Sequence, residues 1–151
     1  MITRRRNVQA AAQRVGIKIQ LVEASHPQEI ATAFAAIVRH NAEALIVPLE
    51  RLFQQPKDQI AELATKQRLL SLGAYAEYAE AGGLMSYAPN VRENSRRPAT
   101  NVDKILKGAN PGNVPVEQPT QFELFIIGKT AKALGVKIPD SILLQATKVI
   151  E

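Results

Sequence analysis

The chain has 151 residues, a formal net charge of +5 and no cysteine, with 46% hydrophobic and 22% charged residues. This length and composition suit one globular domain with a sizeable core. The lack of cysteine excludes disulfide bonds and thiol chemistry, and no apolar run is long enough to span a membrane.

The first part of the chain alternates predicted helices and strands. Apolar residues at helical spacing predict a first helix that ends before Gly16, and residues 16–23 read as a strand. Ser25 is predicted to cap the next helix, with its hydroxyl accepting from the N–H of Gln28. A wholly apolar strand at 44–47, of the kind that is buried on both faces, is followed by a helix at 56–67 and another buried strand at 69–72. The apolar positions that carry the three helices are Val8, Ala11, Ala12 and Val15, then Ile30, Phe34, Ile37 and Val38, then Ile60, Leu63 and Ala64.

The second part continues the alternation. A short helix is predicted at 75–81, and Gly82-Gly83 form a turn before a strand at 84–87. Asn90 opens a long helix to about residue 107, with Glu93 as its capping-box partner. Pro98 inside that helix predicts a kink or a late start. The remaining predictions are a linker at 108–115, a strand at 122–127, and helices at 129–134 and 139–148. This order predicts an α/β layered domain with a mostly parallel sheet flanked by helices.

Several segments carry a family likeness in the same order along the chain. They are residues 80–87 (EAGGLMSY), 102–108 (VDKILKG), 115–124 (PVEQPTQFEL) and 129–135 (KTAKALG), with Ile138-Pro139 after them. Together they resemble the C-terminal portion of the substrate-binding proteins of ABC transporters, in the family that includes aromatic amino-acid binders.

The resemblance implies one three-layer lobe of a two-lobed, periplasmic-binding-protein-like fold. We therefore expect residues 1–151 to form a single C-terminal lobe, without the N-terminal lobe and the lobe's first strand. It also implies an extracytoplasmic location and ABC transporter membrane subunits as partners. No signal peptide is visible in this chain. The chain departs from the family pattern at Leu70, Ala76 and Ile127, where relatives often carry proline, arginine and asparagine. Two interpretations stay open, a changed specificity or a truncated form that no longer binds a solute.

Ligands of parallel sheets bind beyond the carboxyl ends of the strands, and those of two-lobed binders lie between the lobes. The residues that follow the predicted strands are therefore the candidates for solute binding: Ser25, Glu50, Arg51, Tyr75, Glu77, Ser86, Tyr87 and Asn90, with Leu49 beside them. Each has a structural alternative. Ser25 and Asn90 serve equally as helix caps, Glu50 and Arg51 as exposed loop charges, and the tyrosines as packing residues.

An amino-acid ligand explains these residue types. Its ammonium group needs a carboxylate, which Glu50 or Glu77 supplies, and its carboxylate needs hydroxyl or backbone donors, such as Ser86 or a helix N-terminus. Its side chain needs an apolar or aromatic wall, for which Tyr75 is the candidate. The expected solute is an amino acid or a similar small organic molecule, bound by closure of the two lobes.

Other functions have weaker support. His26 and His40 offer neither a catalytic triad nor metal spacing, and Gly82-Gly83 lacks the rest of a nucleotide loop, so we expect no enzyme, no cofactor and no metal. The basic clusters at 4–6 and 96–97 lack interleaved aromatics, which indicates a solvated basic face and no nucleic-acid binding.

One alternative function stays open, the effector-binding domain of a transcription regulator of the same two-lobed architecture. A helix-turn-helix encoded upstream would favour it, whereas a signal peptide and a first lobe would favour transport. A lobe by itself should also expose apolar surface. We therefore expect a homodimer formed through an exposed sheet edge or an apolar face.

Overall fold

The computed structural model describes residues 2–115 and 118–151. The chain divides into two compact units, Met1–Ala42 and Glu43–Glu151. Val116 and Glu117, which belong to one of the family-like segments, lie outside the described residues. In the part of the chain that the structure describes, no helix combines the length and the apolar character that a membrane span requires.

The first unit holds two helices. Helix α1 spans Ile2–Arg14 and α2 spans Ile30–Arg39, after a 3-10 turn at Pro27–Glu29. Three of the four predicted apolar positions of α2 are buried, namely Ile30, Phe34 and Ile37, whereas Val38 is exposed. The predicted stripe of α1 is mostly exposed, and only its Ala12 is buried.

The predicted strand at 16–23 is wrong. These residues have no regular secondary structure, and Ile17 and Leu21 are exposed. A strand exists only where a neighbouring strand completes its hydrogen bonds. Among the described residues, the sheet ladder includes no partner for this segment. Its alternating apolar residues show a β propensity that the fold does not use.

The predicted Ser25 cap is also wrong. The N-cap of the 3-10 turn is His26, and no side chain caps it. Instead, the Ser25 N–H donates to the Glu29 carboxylate at 2.6 Å. This hydrogen bond holds the pKa of Glu29 below its usual value. The extra turn at Pro27–Glu29 moves the start of α2 to Ile30, which carries Ser25 too far upstream to serve as its cap.

The second unit alternates strands and helices as predicted. Its strands are β1 Ala44–Val47, β2 Leu70–Gly73, β3 Met85–Pro89, β4 Phe122–Ile127 and β5 Lys148–Ile150. Its helices are α3 Arg51–Gln54, α4 Lys57–Lys66, α5 Ala76–Glu80, α6 Val91–Leu106, α7 Gly128–Leu134 and α8 Asp140–Leu143.

The strands form one five-stranded sheet in the order β1-β2-β3-β4-β5. All neighbouring pairs are parallel except β3 and β4, which are antiparallel. The predicted α/β class with a mostly parallel sheet flanked by helices is therefore confirmed.

The two faces of this sheet differ in burial. Helices α4, α5 and α7 pack on one face, and Val47, Ser86 and Ala88 on that side are buried. The other face, here called the open face, carries an exposed apolar side chain on every strand: Ile46, Leu70, Tyr87, Phe122 and Val149. The prediction that the 44–47 strand is buried on both faces is therefore wrong.

Two glycines make room for one buried tyrosine. A Cβ atom on Gly73 would lie 2.5 Å from Tyr78 Cβ, and a Cβ on Gly83 would overlap Tyr78 Cε1. The Tyr78 ring of α5 thus lies directly on the backbone at both positions. Gly83 is needed for this close approach, while its neighbour Gly82 forms the predicted turn with a φ of 95°.

The chain end differs from its prediction. The helix expected at 139–148 is wrong beyond α8, which ends at Leu143, and Lys148–Ile150 form β5. Leu124 of β4 binds the residue that precedes this strand. Its N–H donates to Thr147 Oγ1, and its carbonyl accepts from the Thr147 N–H. A three-residue strand is too short for a periodic pattern to reveal.

Helix α6 starts at Val91 and runs through Pro98, so the late start, one of the two outcomes expected from the proline, does not occur. The kink stays a prediction. The predicted linker at 108–115 contains a 3-10 turn at Pro111–Asn113, where Asn110 Oδ1 accepts from the Gly112 N–H at 2.9 Å. Its role as a linker stays a prediction.

Candidate functional site

Most of the candidate residues follow strands that end at one edge of the sheet. We call this the carboxyl edge: the ends of β1, β2 and β3, together with the start of antiparallel β4. Glu50, Tyr75 and Asn90 follow the three parallel strands, and Phe122 opens β4. Ser25 belongs to the first unit.

A hydrogen bond joins the loops that follow β1 and β2. The Tyr75 hydroxyl donates to the Phe53 carbonyl of α3 at 3.0 Å. The Tyr75 ring is buried and meets Tyr78 edge-on, with 5.9 Å between the ring centroids. Tyr75 therefore fixes the short helix that begins directly after Glu50.

Burial gives Tyr75 a testable pH dependence. Its pKa is raised to about 12, first by burial and then by charge on Tyr78, Glu77 and Asp58. A phenol whose pKa is higher in the folded chain stabilises the fold while it is protonated. This stability is fully present below the ordinary pKa of about 10, and it is lost as the pH rises from there through about 12.

We therefore expect the urea-unfolding free energies of wild type and Tyr75→Phe to differ by a constant amount below about pH 10. Above about pH 10, the wild type should lose more stability than the variant. Only the wild type has this phenol, which ionises more readily in the unfolded chain than in the folded one and so stabilises the unfolded state. Parallel curves across the whole range would contradict the assignment. The lysines titrate in the same pH range, but they contribute equally to both proteins and therefore cancel in the difference between the two unfolding free energies.

Charged side chains stand at the start of two helices on this edge. Glu50 is half-buried at the N-cap position of α3, where its carboxylate makes no capping bond. Arg51 is exposed in the first turn of the same helix, and Glu77 is exposed in the first turn of α5. These positions are compatible with either predicted role, ligand contact or loop charge.

Asn90 is the cap that the sequence predicts, and it does more. Its Oδ1 accepts from the Glu93 N–H at 2.8 Å, while its Nδ2 donates to Glu123 Oε1 at 2.7 Å. Its own N–H donates to the Gln121 carbonyl. One side chain thus starts α6 and ties the end of β3 to the start of β4.

The two candidates within β3 point to opposite faces of the sheet, because successive strand residues alternate. Ser86 lies on the helix-covered face, where it is buried and its Oγ has no hydrogen-bond partner among the described residues. Tyr87 lies on the open face, where its ring stacks on Phe122 with 5.3 Å between centroids. Ser86 is therefore not accessible to a solute in this conformation.

Two cavities among the described residues are lined by residues other than these candidates. One of about 330 Å³ in the first unit is lined by Gln9, Ala12, Gln13, Ile17, Lys18 and Ile19. Another of about 390 Å³ in the second unit includes Glu80, Gly82, Lys129 and Thr130 and lies at the opposite edge of the sheet.

Sequence reasoning missed three contributors to this edge. The Phe53 carbonyl holds Tyr75, Phe122 stacks on Tyr87, and Glu123 binds Asn90. Phe122 and Glu123 reach the edge only because β4 is antiparallel, which no periodicity in the sequence indicates. Among the residues that the structure describes, no group of His, Cys, Asp and Glu side chains has the arrangement of a metal site.

Solved structures with this fold are about twice as long as this chain. A conserved domain protein from Vibrio cholerae O1 biovar El Tor aligns with a TM-score of 0.87 at 22% identity, over 98% of this chain and 50% of that one. An ABC domain from Streptococcus pneumonia in complex with L-Trp aligns with a TM-score of 0.84 at 23% identity, over 98% of this chain and 51% of that one.

A third structure is a substrate binding protein with adhesive properties from Clostridium difficile, in a ligand-free, open form. It aligns with a TM-score of 0.72 at 20% identity, over 95% of this chain and 48% of that one. The chain therefore spans about half the length of these structures, and it shares their fold over that half.

The family itself follows from the sequence match. The family of ABC transporter substrate binding proteins matches residues 2–150, so the chain belongs to this family. It is a family of binding proteins and not of enzymes. This agrees with the resemblance that the segments at 80–87, 102–108, 115–124 and 129–135 carry. A search of curated proteins finds no match.

Proposed function

We propose that this chain is the solute-binding lobe of an ABC-type importer, for an amino acid or a similar small organic molecule. The observation that carries the proposal is the family match over residues 2–150 together with the placement of Glu50, Glu77 and Asn90 along the carboxyl edge. The structural relative in complex with L-Trp supports an amino acid as the first solute to test.

In this proposal the solute lies across the carboxyl edge, and a second lobe closes over it. Glu50 takes the ammonium group of the solute, since its carboxylate is half-buried and stands on the α3 turn that Tyr75 fixes. Partial burial strengthens such a charge-assisted contact. Glu77 and Arg51, both exposed, border the same edge.

The apolar wall is reassigned. Tyr75 is buried and its hydroxyl is already used, so its role is to position the Glu50 turn. Leu49 lies two residues after β1 and is exposed, which makes it the better candidate for contact with the side chain of a solute. Tyr87 is not included, because its ring projects from the open face of the sheet.

The proposed partners are the membrane subunits of the transporter, and the proposed location is extracytoplasmic, as the family implies. Solute capture would follow closure of two lobes, which requires the half that the structural relatives have beyond the matched region.

We expect Glu50→Gln to weaken L-tryptophan binding about tenfold, which corresponds to about 1.4 kcal/mol. The measurement is calorimetric titration of the protein extended to the two-lobed length of its relatives. Indole-3-propionate, which lacks the ammonium group, should bind both forms equally. Glu80→Gln, at the opposite edge of the sheet, is the matched control and should leave the affinity for L-tryptophan unchanged.

Equal affinities of wild type and Glu50→Gln for L-tryptophan would rule out Glu50 as the ammonium ligand. Weakened binding of indole-3-propionate would show instead that the substitution disturbs the edge as a whole.

A further inference from the structure

The open face of the sheet is apolar from one side to the other. The strand registers place eleven residues on it, and all eleven are apolar: Ala44, Ile46, Leu70, Leu72, Met85, Tyr87, Pro89, Phe122, Leu124, Ile126 and Val149. Five of them, one on each strand, are between 37% and 59% exposed. Ile126, in the middle of this face, is fully buried, so the exposed apolar surface lies around it. Exposed apolar patches of this kind mark interaction surfaces.

Helix α6 in the same unit has a matching surface. Val91, Val102, Ile105 and Leu106 recur at helical spacing along one side, with Pro98 between them, and are between 37% and 82% exposed. None of the α6 side chains that the structure describes is buried. A helix of this kind gains most of its stability by packing its apolar side against another element. The apolar side of α6, like the open face, is exposed and available for such packing.

We propose that a second copy of this chain covers both surfaces, with α6 of each copy packed on the open face of the other. A two-fold axis makes such an exchange reciprocal, so a single dimer covers α6 and the open face of both copies. The product is the usual helix-on-sheet layer, in which one apolar stripe faces one apolar sheet face.

The dimensions of the two surfaces agree. The 16 residues of α6 span about 24 Å at 1.5 Å per residue. Five strands at about 4.8 Å spacing make the sheet roughly 20 Å wide. The helix is therefore long enough to cross every strand of the open face.

The buried area is also sufficient. The exposed fractions of the nine apolar side chains correspond to on the order of 800 Å² per chain, so a two-fold pair would bury on the order of 1,600 Å², the size of a stable interface. The edge of β1, the other predicted contact, has only four residues. The apolar face is accordingly the stronger of the two expected dimer surfaces.

Molar mass in solution tests the exchange. We expect a dimer at tens of micromolar by light scattering, and a shift to monomer in both Val102→Glu and Tyr87→Glu. Thr100→Glu, which adds the same charge at an exposed position on the other side of α6, should remain dimeric. A wild-type monomer, or a dimer that neither Val102→Glu nor Tyr87→Glu dissociates, would overturn the proposal.

Cross-linking distinguishes exchange from packing within one chain. The chain has no cysteine, so single cysteines are unambiguous probes. When Val102→Cys and Tyr87→Cys chains are mixed, a bis-maleimide should join one to the other at twice the mass of the chain. If a chain with both substitutions links only to itself, α6 covers its own sheet and the exchange is wrong. This result does not depend on any solute, so it stands apart from the proposed function.

Discussion

Replacing Tyr78 by alanine is expected to lower the free energy of unfolding by about 4 kcal/mol. Its ring is fully buried between α5 and the helix-covered face of the sheet, in contact with Gly73 and Gly83. Removing the ring would leave a cavity, which Gly73 and Gly83 cannot fill because they have no side chains. Urea unfolding followed by far-UV circular dichroism measures the loss.

The matched control is Tyr78→Phe, for which we expect a change of less than about 1 kcal/mol in either direction. The Tyr78 hydroxyl has no hydrogen-bond partner among the described residues. Burial raises the pKa of this phenol, and the nearby Ser71 hydroxyl opposes the rise without reaching hydrogen-bond geometry. If Tyr78→Phe cost as much as Tyr78→Ala, the hydroxyl and not the ring would be the stabilising group.

Adding a methyl group at Gly73 should cost about 3 kcal/mol, at the upper end of overpacking effects. The new Cβ in Gly73→Ala would lie 2.5 Å from Tyr78 Cβ, an atom next to the backbone of α5 that no rotamer change can move. The helix or the end of β2 must shift instead. Chemical unfolding again provides the measurement.

Gly128→Ala is the control for this substitution, since a Cβ at that position meets its nearest atom, the Ile150 carbonyl oxygen, at 3.4 Å. It should be neutral within about 1 kcal/mol, because a helix position tolerates alanine well. In the double variant Gly73→Ala/Tyr78→Ala the two losses should add only in part, because the clash with the ring atoms Cγ and Cδ1 at 2.6 Å is gone while the clash with the retained Cβ at 2.5 Å remains. Full additivity would contradict the proposed contact.

The strands of the second unit were predictable where local chemistry bounds them. The predictions for 44–47 and 122–127 match β1 and β4, since each is an apolar run between polar or turn residues. Asn90 was predictable as a cap for the same reason, because a cap acts on its own helix.

The failures share one cause, the dependence of a strand on its neighbour. Residues 16–23 have an apolar alternation but join no described ladder, whereas Lys148–Ile150 have almost no pattern and become β5 through their contact with β4. Burial depends on tertiary contacts in the same way. Ile46 looks like a core residue in the sequence and lies on the open face.

The candidate site was predictable in position and not in detail. The rule that parallel strands place ligands beyond their carboxyl ends selects Glu50, Glu77 and Asn90 from the sequence alone. The sequence does not indicate that Tyr75 is buried under a hydrogen bond to Phe53, nor that Ser86 faces the helices. These features follow from packing between segments that are distant in the chain.

A thermal-shift screen of amino acids and small organic acids tests whether this protein captures a solute between two lobes. It compares this chain with the protein extended to the two-lobed length of its relatives. A solute at a hundred times its dissociation constant should stabilise the binding form by about 2.7 kcal/mol. We expect at least one amino acid to raise the melting temperature of the two-lobed protein and to leave that of this chain unchanged. If no compound stabilises the two-lobed protein, the assignment to solute capture is contradicted.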